Sequence, residues 1–200
     1  MKTDIISSNI NWTDVKNACR TTMNKDATDN KPNEKFKLDI LISEHSPIRL
    51  LTVRWMWRIK SWVATHFARH WLGWDKFIST QRTDRVGINR DELPQGTEVT
   101  YDGNANTQAL INVSKVRLCY KASKETREAM EELKYKIHEE VDENIANVMQ
   151  RSCVYRCGCP EFEECGYWTK FKEKHSDIDF TNIRERYDAE NKDFYERVNK

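Results

Sequence analysis

The sequence predicts an α+β domain, a mixture of strand and helix around one core, on three observations. Residues 51–58 alternate Leu51, Val53, Trp55 and Trp57 with Thr52, Arg54, Met56 and Arg58, the period of two of a strand with one buried face. The segments that start at Ser61, Thr107 and Ser123 read instead as helices. The length of 200 residues and a hydrophobic content of 38% suit a single domain over 1–200 and leave no room for a second core.

Taken in order, a short first helix leads into residues 24–35, NKDATDNKPNEK, where the scarcity of apolar side chains and Pro32 mark a polar loop. Leu38 to Ser43 admits helix or strand, and it stops at Glu44-His45-Ser46-Pro47, where the proline disfavours helix in the residue before it and predicts a turn. Ser61 is placed to cap a helix through Trp62, Val63, Phe67 and Ala68, which sets His66, Arg69 and His70 three or four residues apart on adjoining turns. Residues 80–104 hold Gly87, Pro94, Gly96 and Gly103 and read as a connection with little regular structure. Helices are expected from Thr107 to about Cys119 and from Ser123 to about Met149, the second with Glu125 and Glu128 in its first turns. The polar C-terminal tail, about 169–200, reads as a solvated helix or as an arm that contacts a partner.

Charged residues make up 32% of the chain, yet the formal net charge is +1, so no large field favours nucleic acid or a membrane surface. Arg54, Arg58, Lys60, Arg69, Arg82, Arg85 and Arg90 form a locally basic region within this balance. An anionic ligand therefore has to be met by a local cluster. Met1 to Asn11 lack an apolar run after a basic start, and no stretch approaches the roughly 18 apolar residues of a spanning helix, which together predict a soluble, cytoplasmic protein.

Thr65-His66-Phe67-Ala68-Arg69-His70-Trp71 is followed, after seven residues, by Ser79 and then by Gln81-Arg82. This block resembles the signature of the flavin-dependent thymidylate synthases, R-H-R, seven residues, then S-x-R. Further matches lie in the family's order along most of the chain. Ala18-Cys19-Arg20-Thr21-Thr22 is similar to A-A-R-V-S, His45-Ser46-Pro47 to H-x-P, and Arg90-Asp91-Glu92-Leu93-Pro94 to R-x-x-L-P. Asn106 to Arg117, NTQALINVSKVR, is similar without a gap to N-x-R-x-x-x-N-F-L-x-L-R, and Ala122, Ser123 and Glu125 fall where the family has A-Q-x-E.

The resemblance implies a small antiparallel sheet with surrounding helices and a homotetramer with flavin sites at the subunit interfaces. It implies FAD-dependent methylation of dUMP to dTMP, with methylenetetrahydrofolate as the one-carbon donor and NADPH as the reductant of the flavin. Carried over residue by residue, it implies FAD contacts at Thr22, His45, Ser46, Arg69, His70, Trp71, Asn106, Gln108 and Asn112. The dUMP site aligns with His66, Arg69, Ile78, Ser79, Thr80, Gln81 or Arg82, Arg90 and Arg117, and Arg117 corresponds to the residue assigned to ionising N3 of the uracil. The chemistry suits these residue types. Arginines such as Arg82 and Arg90 present a fork that matches a phosphate. A guanidinium with a pKa above about 12 is a poor base, but it stabilises a uracil anion in a dry site.

The sequence departs from the family pattern at named positions. Trp71 replaces the third residue of R-H-R, Lys76-Phe77 stand where the family has Asn-Glu, and the arginine after Ser79 comes one residue late. Only seven residues separate Arg82 from Arg90, which makes this a compact version. These departures motivate a related reaction, such as hydroxymethyl transfer or another pyrimidine substrate. A rival of another class, a metal-stabilised interaction protein, is motivated by Cys153, Cys157, Cys159 and Cys165. Their spacing, C-x3-C-x-C-x5-C, is not that of paired knuckles, and buried free thiols are the expected state, with no metal. Trp55, Trp57, Trp62 and Trp74 are expected in the core or at an interface, Cys119 in packing, and His138 and His175 facing solvent.

Overall fold

The computed structural model describes residues 2–199. Four antiparallel strands, β1 (Thr3–Asn9), β2 (Thr52–Lys60), β3 (Trp74–Ile78) and β4 (Glu98–Asn106), form one sheet in the order β1-β2-β4-β3. The helices are α1 (Trp12–Thr22), α2 (Glu34–Ile42), α3 (Ser61–Ala68), α4 (Thr83–Val86), α5 (Thr107–Arg117), α6 (Lys124–Glu140), α7 (Glu143–Asn147), α8 (Ser152–Arg156), α9 (Tyr167–Lys174) and α10 (Ile183–Val198). Short 3-10 turns cover Ser46–Leu50 and Arg90–Glu92. The α+β class and the small antiparallel sheet are as expected. No helix among the described residues is long and apolar enough to cross a membrane.

The alternation expected of residues 51–58 is present: Val53, Trp55, Trp57 and Ile59 are buried on one face of β2, and Arg54 and Arg58 lie on the other. Packing above that face is aromatic. Trp55 meets Trp57 and Trp74 edge-on at centroid distances of 5.2 and 4.8 Å, and Phe67 of α3 lies 4.7 Å from Trp57. Each large ring adds apolar area, and the polar handles of two indoles are satisfied: Trp57 Nε1 donates to Thr3 Oγ1 at 2.9 Å and Trp74 Nε1 to the Tyr101 hydroxyl at 2.7 Å. On the opposite face, Arg54 grips Asp102 with Nε and Nη2 at 3.0 and 2.6 Å.

The structure corrects several expectations. Residues 80–104 are not a mere connection, because β4 occupies 98–106 and is a central strand paired with both β2 and β3. Gly103 is not in a turn: a Cβ there would lie 2.4 Å from Trp55 Cζ2, so the missing side chain makes room for the indole. β1 and β3 also went unread in the sequence. Ser61 is not the cap of α3; Lys60 holds that position without a side-chain bond, and the Ser61 N–H donates to the Thr97 carbonyl at 2.8 Å. α3 ends at Ala68, so Arg69, His70 and Trp71 follow its last turn rather than extending it.

The helix expected from 123 to 149 breaks at Val141. Asp142 there accepts the Ile145 N–H at 3.1 Å and starts α7 as its cap. The C-terminal tail is helical, as one of its two readings had it, but its last helix is packed rather than solvated. Tyr187, Glu190, Asn191 and Phe194 of α10 recur at helical spacing and are buried against the body. The Arg151–Glu190 pair at 2.8 Å and the Lys134–Asn191 hydrogen bond at 2.7 Å are sealed beneath α10. His138 and His175 are half-buried rather than fully solvent-facing: His138 packs 4.2 Å from the Tyr195 ring, and His175 Nε2 lies 2.9 Å from Asp193 Oδ2. Of the four clustered cysteines only Cys153 is buried, with burial pushing its thiol up to about 12, while Cys157 and Cys165 are exposed. Among the described residues no three His, Cys, Asp or Glu side chains are arranged to hold a metal ion.

Candidate functional site

The end of α3 and the end of α5 meet at Arg117. Its Nε donates to His70 Nε2 at 3.0 Å and its Nη2 to the His66 carbonyl at 2.6 Å. Burial first, then the charge of Arg69, lowers the Arg117 pKa from its ordinary value, and the group stays a cation at any physiological pH. Burial also pushes His70 down to about 4, helped by Arg117 and Lys76. His66 is lowered by burial, Arg117 and Arg69. The His70 imidazole and the His66 carbonyl thus hold one guanidinium, with a second cation, Arg69, close enough to bias Arg117 and His66.

Arg69, His70, Trp71 and Asn112 line a concavity of about 180 Å³ with Leu72, Ala109 and Val113. Trp71 is 72% exposed, an indole plane presented outward at the rim. A second cleft, of about 430 Å³, is lined by Thr22, His45 and Ser46 together with Cys19, Met23, Phe36, Asp39, Ile40, Ser43 and Pro47. The FAD positions implied by resemblance therefore divide between two concavities of this chain. Asn106 and Gln108 line neither. The Asn106 side chain accepts the Ala109 N–H at 2.9 Å and caps α5. Gln108 Nε2 is engaged by the Glu44 carboxylate and by Asn112 Oδ1.

Glu44 joins the two regions and was not singled out in the sequence. It adopts a left-handed backbone, φ 50°, uncommon for a residue with a Cβ. Although burial opposes ionisation, bonds from Lys115, Gln108 and Tyr155 hold its carboxyl below the usual range. Lys115 Nζ reaches Glu44 Oε1 at 2.9 Å and sits 3.6 Å above the Tyr155 ring. This tie fixes the turn that carries His45 and Ser46 against α5. Lys76 Nζ donates to the His70 carbonyl at 2.7 Å, and Thr126, bonded to Ser123, reaches His66 across 60 positions of sequence, a contact that no local pattern shows.

The dUMP positions of the 78–90 segment lie apart from the Arg69 concavity. Ser79 completes the β4 edge, donating its N–H to the Thr100 carbonyl at 2.9 Å and accepting the Thr100 N–H on Oγ at 3.0 Å. Thr80 Oγ1 accepts the Arg82 N–H, and Arg82 is paired with Asp84 through Nε and Nη2 at 3.0 and 2.8 Å. Ile78 and Arg90 are exposed, and Gln81 is half-buried. In the surrounding sequence Trp71, Leu72, Val86 and Ile88 are also exposed, as is Phe77 on edge strand β3.

No protein-family model and no curated protein matches the chain. Solved structures do. Thymidylate Synthase X (ThyX) from Helicobacter pylori, determined with FAD and dUMP, superposes with a TM-score of 0.61, covering 76% of this chain and 100% of that one at 14% identity. The chain has the ThyX fold. The UMP/dUMP methylase PolB from Streptomyces cacaoi, bound with 5-Br dUMP, shares it with a TM-score of 0.59 over 74% of this chain and 93% of that one, again at 14% identity. PolB bound with 5-Br UMP gives 0.58 over 76% and 96%. Within this ThyX-like fold, the motif-bearing ends of α3 and α5 are the elements that bring Arg69, His70 and Arg117 together.

Proposed function

We propose that the protein is a FAD-dependent thymidylate synthase that methylates dUMP to dTMP with methylenetetrahydrofolate and NADPH, acting as a homotetramer. The observation that carries this reading is the placement of Arg117 on a ThyX-like fold: a half-buried guanidinium held by His70 and by the His66 carbonyl, beside Arg69. A cation so placed stabilises the negative charge that develops on a uracil ring as N3 loses its proton, and it does so without acting as the base. Holding the guanidinium in advance spares its reorganisation when the charge appears.

The residues present fit a flat, phosphate-bearing cofactor. At one concavity Arg69 offers a cation, Asn112 an amide and Trp71 an exposed plane. At the other, Thr22 and Ser46 offer hydroxyls and His45 an imidazole along an apolar wall of Met23, Phe36 and Ile40. FAD, when bound, supplies hydride transfer. The division of these residues between two open concavities, and the exposed apolar side chains along β3, support a site completed by a second copy. Arg82 and Arg90 then meet the dUMP phosphate across that interface.

A second reading keeps the site and changes the substrate or the transferred group. Lys76 favours it, because its amine is fixed on the His70 carbonyl where the resemblance has an uncharged amide, Asn. The visible absorption spectrum of the purified protein, before and after FAD and then dUMP, tests the first reading. It requires an oxidised-flavin band that shifts when dUMP binds, and the absence of flavin uptake would overturn it. Titration with UMP and dCMP beside dUMP separates the second.

A further inference from the structure

The hydrogen bonds around Arg117 fix the tautomer of His70 and bear on that of His66. His70 receives the Arg117 Nε–H on Nε2, which leaves its ring proton on Nδ1. His66 turns the other ring nitrogen to the protein: Nδ1 lies 2.8 Å from Thr126 Oγ1. Thr126 is fully buried, and its oxygen accepts the Ser123 hydroxyl at 2.7 Å. A hydroxyl has one proton to give. With Ser123 donating, the Thr126 hydrogen is left to point at His66 Nδ1, an arrangement that keeps the His66 ring proton on Nε2.

The surroundings hold this arrangement in place. The Trp62 ring stands edge-on to the imidazole at 5.6 Å, and the His66 carbonyl is held by Arg117 at 2.6 Å. Arg117 and Arg69 disfavour a third positive charge on the ring, so it remains neutral. Among the described residues Nε2 has no hydrogen-bond partner. A neutral N–H beside Arg117 is a donor that cannot also accept.

Resting on the reading of this site as one for a pyrimidine nucleotide, we propose that Ser123 and Thr126 are positioning residues that fix His66 as an Nε2–H donor, and that this donor selects a ring presenting a carbonyl oxygen, as uracil does, over one presenting an amino group, as cytosine does. Facing a carbonyl, the N–H is satisfied. Facing an amino group, two donors meet where the bound nucleotide and flavin keep water out, and neither is paired, the kind of mismatch that discriminates most strongly between analogues.

The first test needs no ligand. In ¹⁵N spectra of histidine-labelled protein at neutral pH, with His66 assigned by its loss in His66→Gln, Nε2 is expected to be protonated and Nδ1 bare; a protonated Nδ1 overturns the proposal. The second reads selection, by titrating the flavin absorbance of the FAD-loaded protein with dUMP and with dCMP. The wild type is expected to prefer dUMP by about tenfold or more, Thr126→Val to lose most of that preference at unchanged FAD affinity, and Thr126→Ser to restore it. Equal preference in wild type and Thr126→Val overturns the proposal. If Thr126→Val does not fold, Ser123→Ala replaces it: removing the donor to Thr126 is expected to mix the two tautomers and weaken the preference, and no change in either overturns the assignment. A flavin band that responds to neither nucleotide refutes the pyrimidine-nucleotide reading and the selection with it, while the ¹⁵N spectrum still decides the tautomer.

Discussion

Arg117 Nε lies 3.0 Å from His70 Nε2, so a group that can only donate fixes the imidazole nitrogen it touches as unprotonated. The contact joins the C-terminal turn of α5 to the chain just past α3, and it makes the protonation of His70 a reporter of the site. Protonating that nitrogen breaks the bond and sets two cations side by side.

His70 should therefore make stability depend on pH in the acid range. Its folded pKa of about 4 lies below the unfolded value of about 6.5, so the unfolded chain binds more protons between them. The contribution is complete above about pH 6.5 and is lost as the pH falls through that window towards 4. For a half-exposed ring about 1 to 2 kcal/mol is expected. Urea denaturation at pH 7 and 4.5 should show a loss smaller by that amount in His70→Asn than in the wild type; equal losses would contradict it.

Lys134 titrates in the opposite half of the scale. Fully buried under α10, its amine is driven down to about 7, so stability should rise as the pH climbs from about 7 towards 10.5, where the unfolded chain still binds the proton and the folded chain does not. Replacing a buried charge by an apolar chain of similar length often stabilises. Lys134→Met is expected to gain about 1 to 3 kcal/mol at pH 7, with the gain shrinking near pH 10. A destabilised variant in thermal melts at both pH values would show that the Asn191 hydrogen bond outweighs the buried charge.

Gly103→Ala tests the central strand. The added methyl would sit 2.4 Å from Trp55 Cζ2 and 2.6 Å from Cε2, and Trp55 is fully buried between Trp57 and Trp74. A loss of about 1 to 3 kcal/mol is expected, partly recovered when Trp55→Phe is added. Additive losses in the double-mutant cycle would mean that the two residues do not compete for space.

Trp71→Arg restores the family pattern at an exposed rim position. Its stability is expected to stay within about 0.5 kcal/mol of the wild type, because little packing is lost. FAD affinity, read by flavin absorbance, should change if the indole lines the cofactor. A drop in Tm of about 10 °C would instead make Trp71 part of a packed interface.

How much was legible follows from what each element buries. β2 announced itself because large apolar residues alternate with arginines, and α5 was legible from Thr107 onward, with Asn106 in the structure as its cap. β4 hid because its inward positions are Val99, Tyr101, Gly103 and Ala105, small where Trp55 is large, and glycine and asparagine read locally as turn. α10 hid because its buried Arg186, Glu190 and Asn191 are polar, matched by partners on other elements rather than by apolar neighbours. At the site, motif spacing pointed to Arg69, His70 and Arg117, and the fold brings them together. Glu44 and Thr126 act through contacts with residues distant in sequence, Lys115 and His66, which no local pattern encodes.

The measurement that tests the central claim most directly is release of the C5 hydrogen from C5-tritiated dUMP by the protein supplied with FAD, NADPH and methylenetetrahydrofolate. Wild-type protein is expected to release tritium and form dTMP, and Arg117→Ala to release none while still showing the bound-flavin spectrum. No release by the wild type, or undiminished release by Arg117→Ala, would contradict the assignment of uracil activation to Arg117.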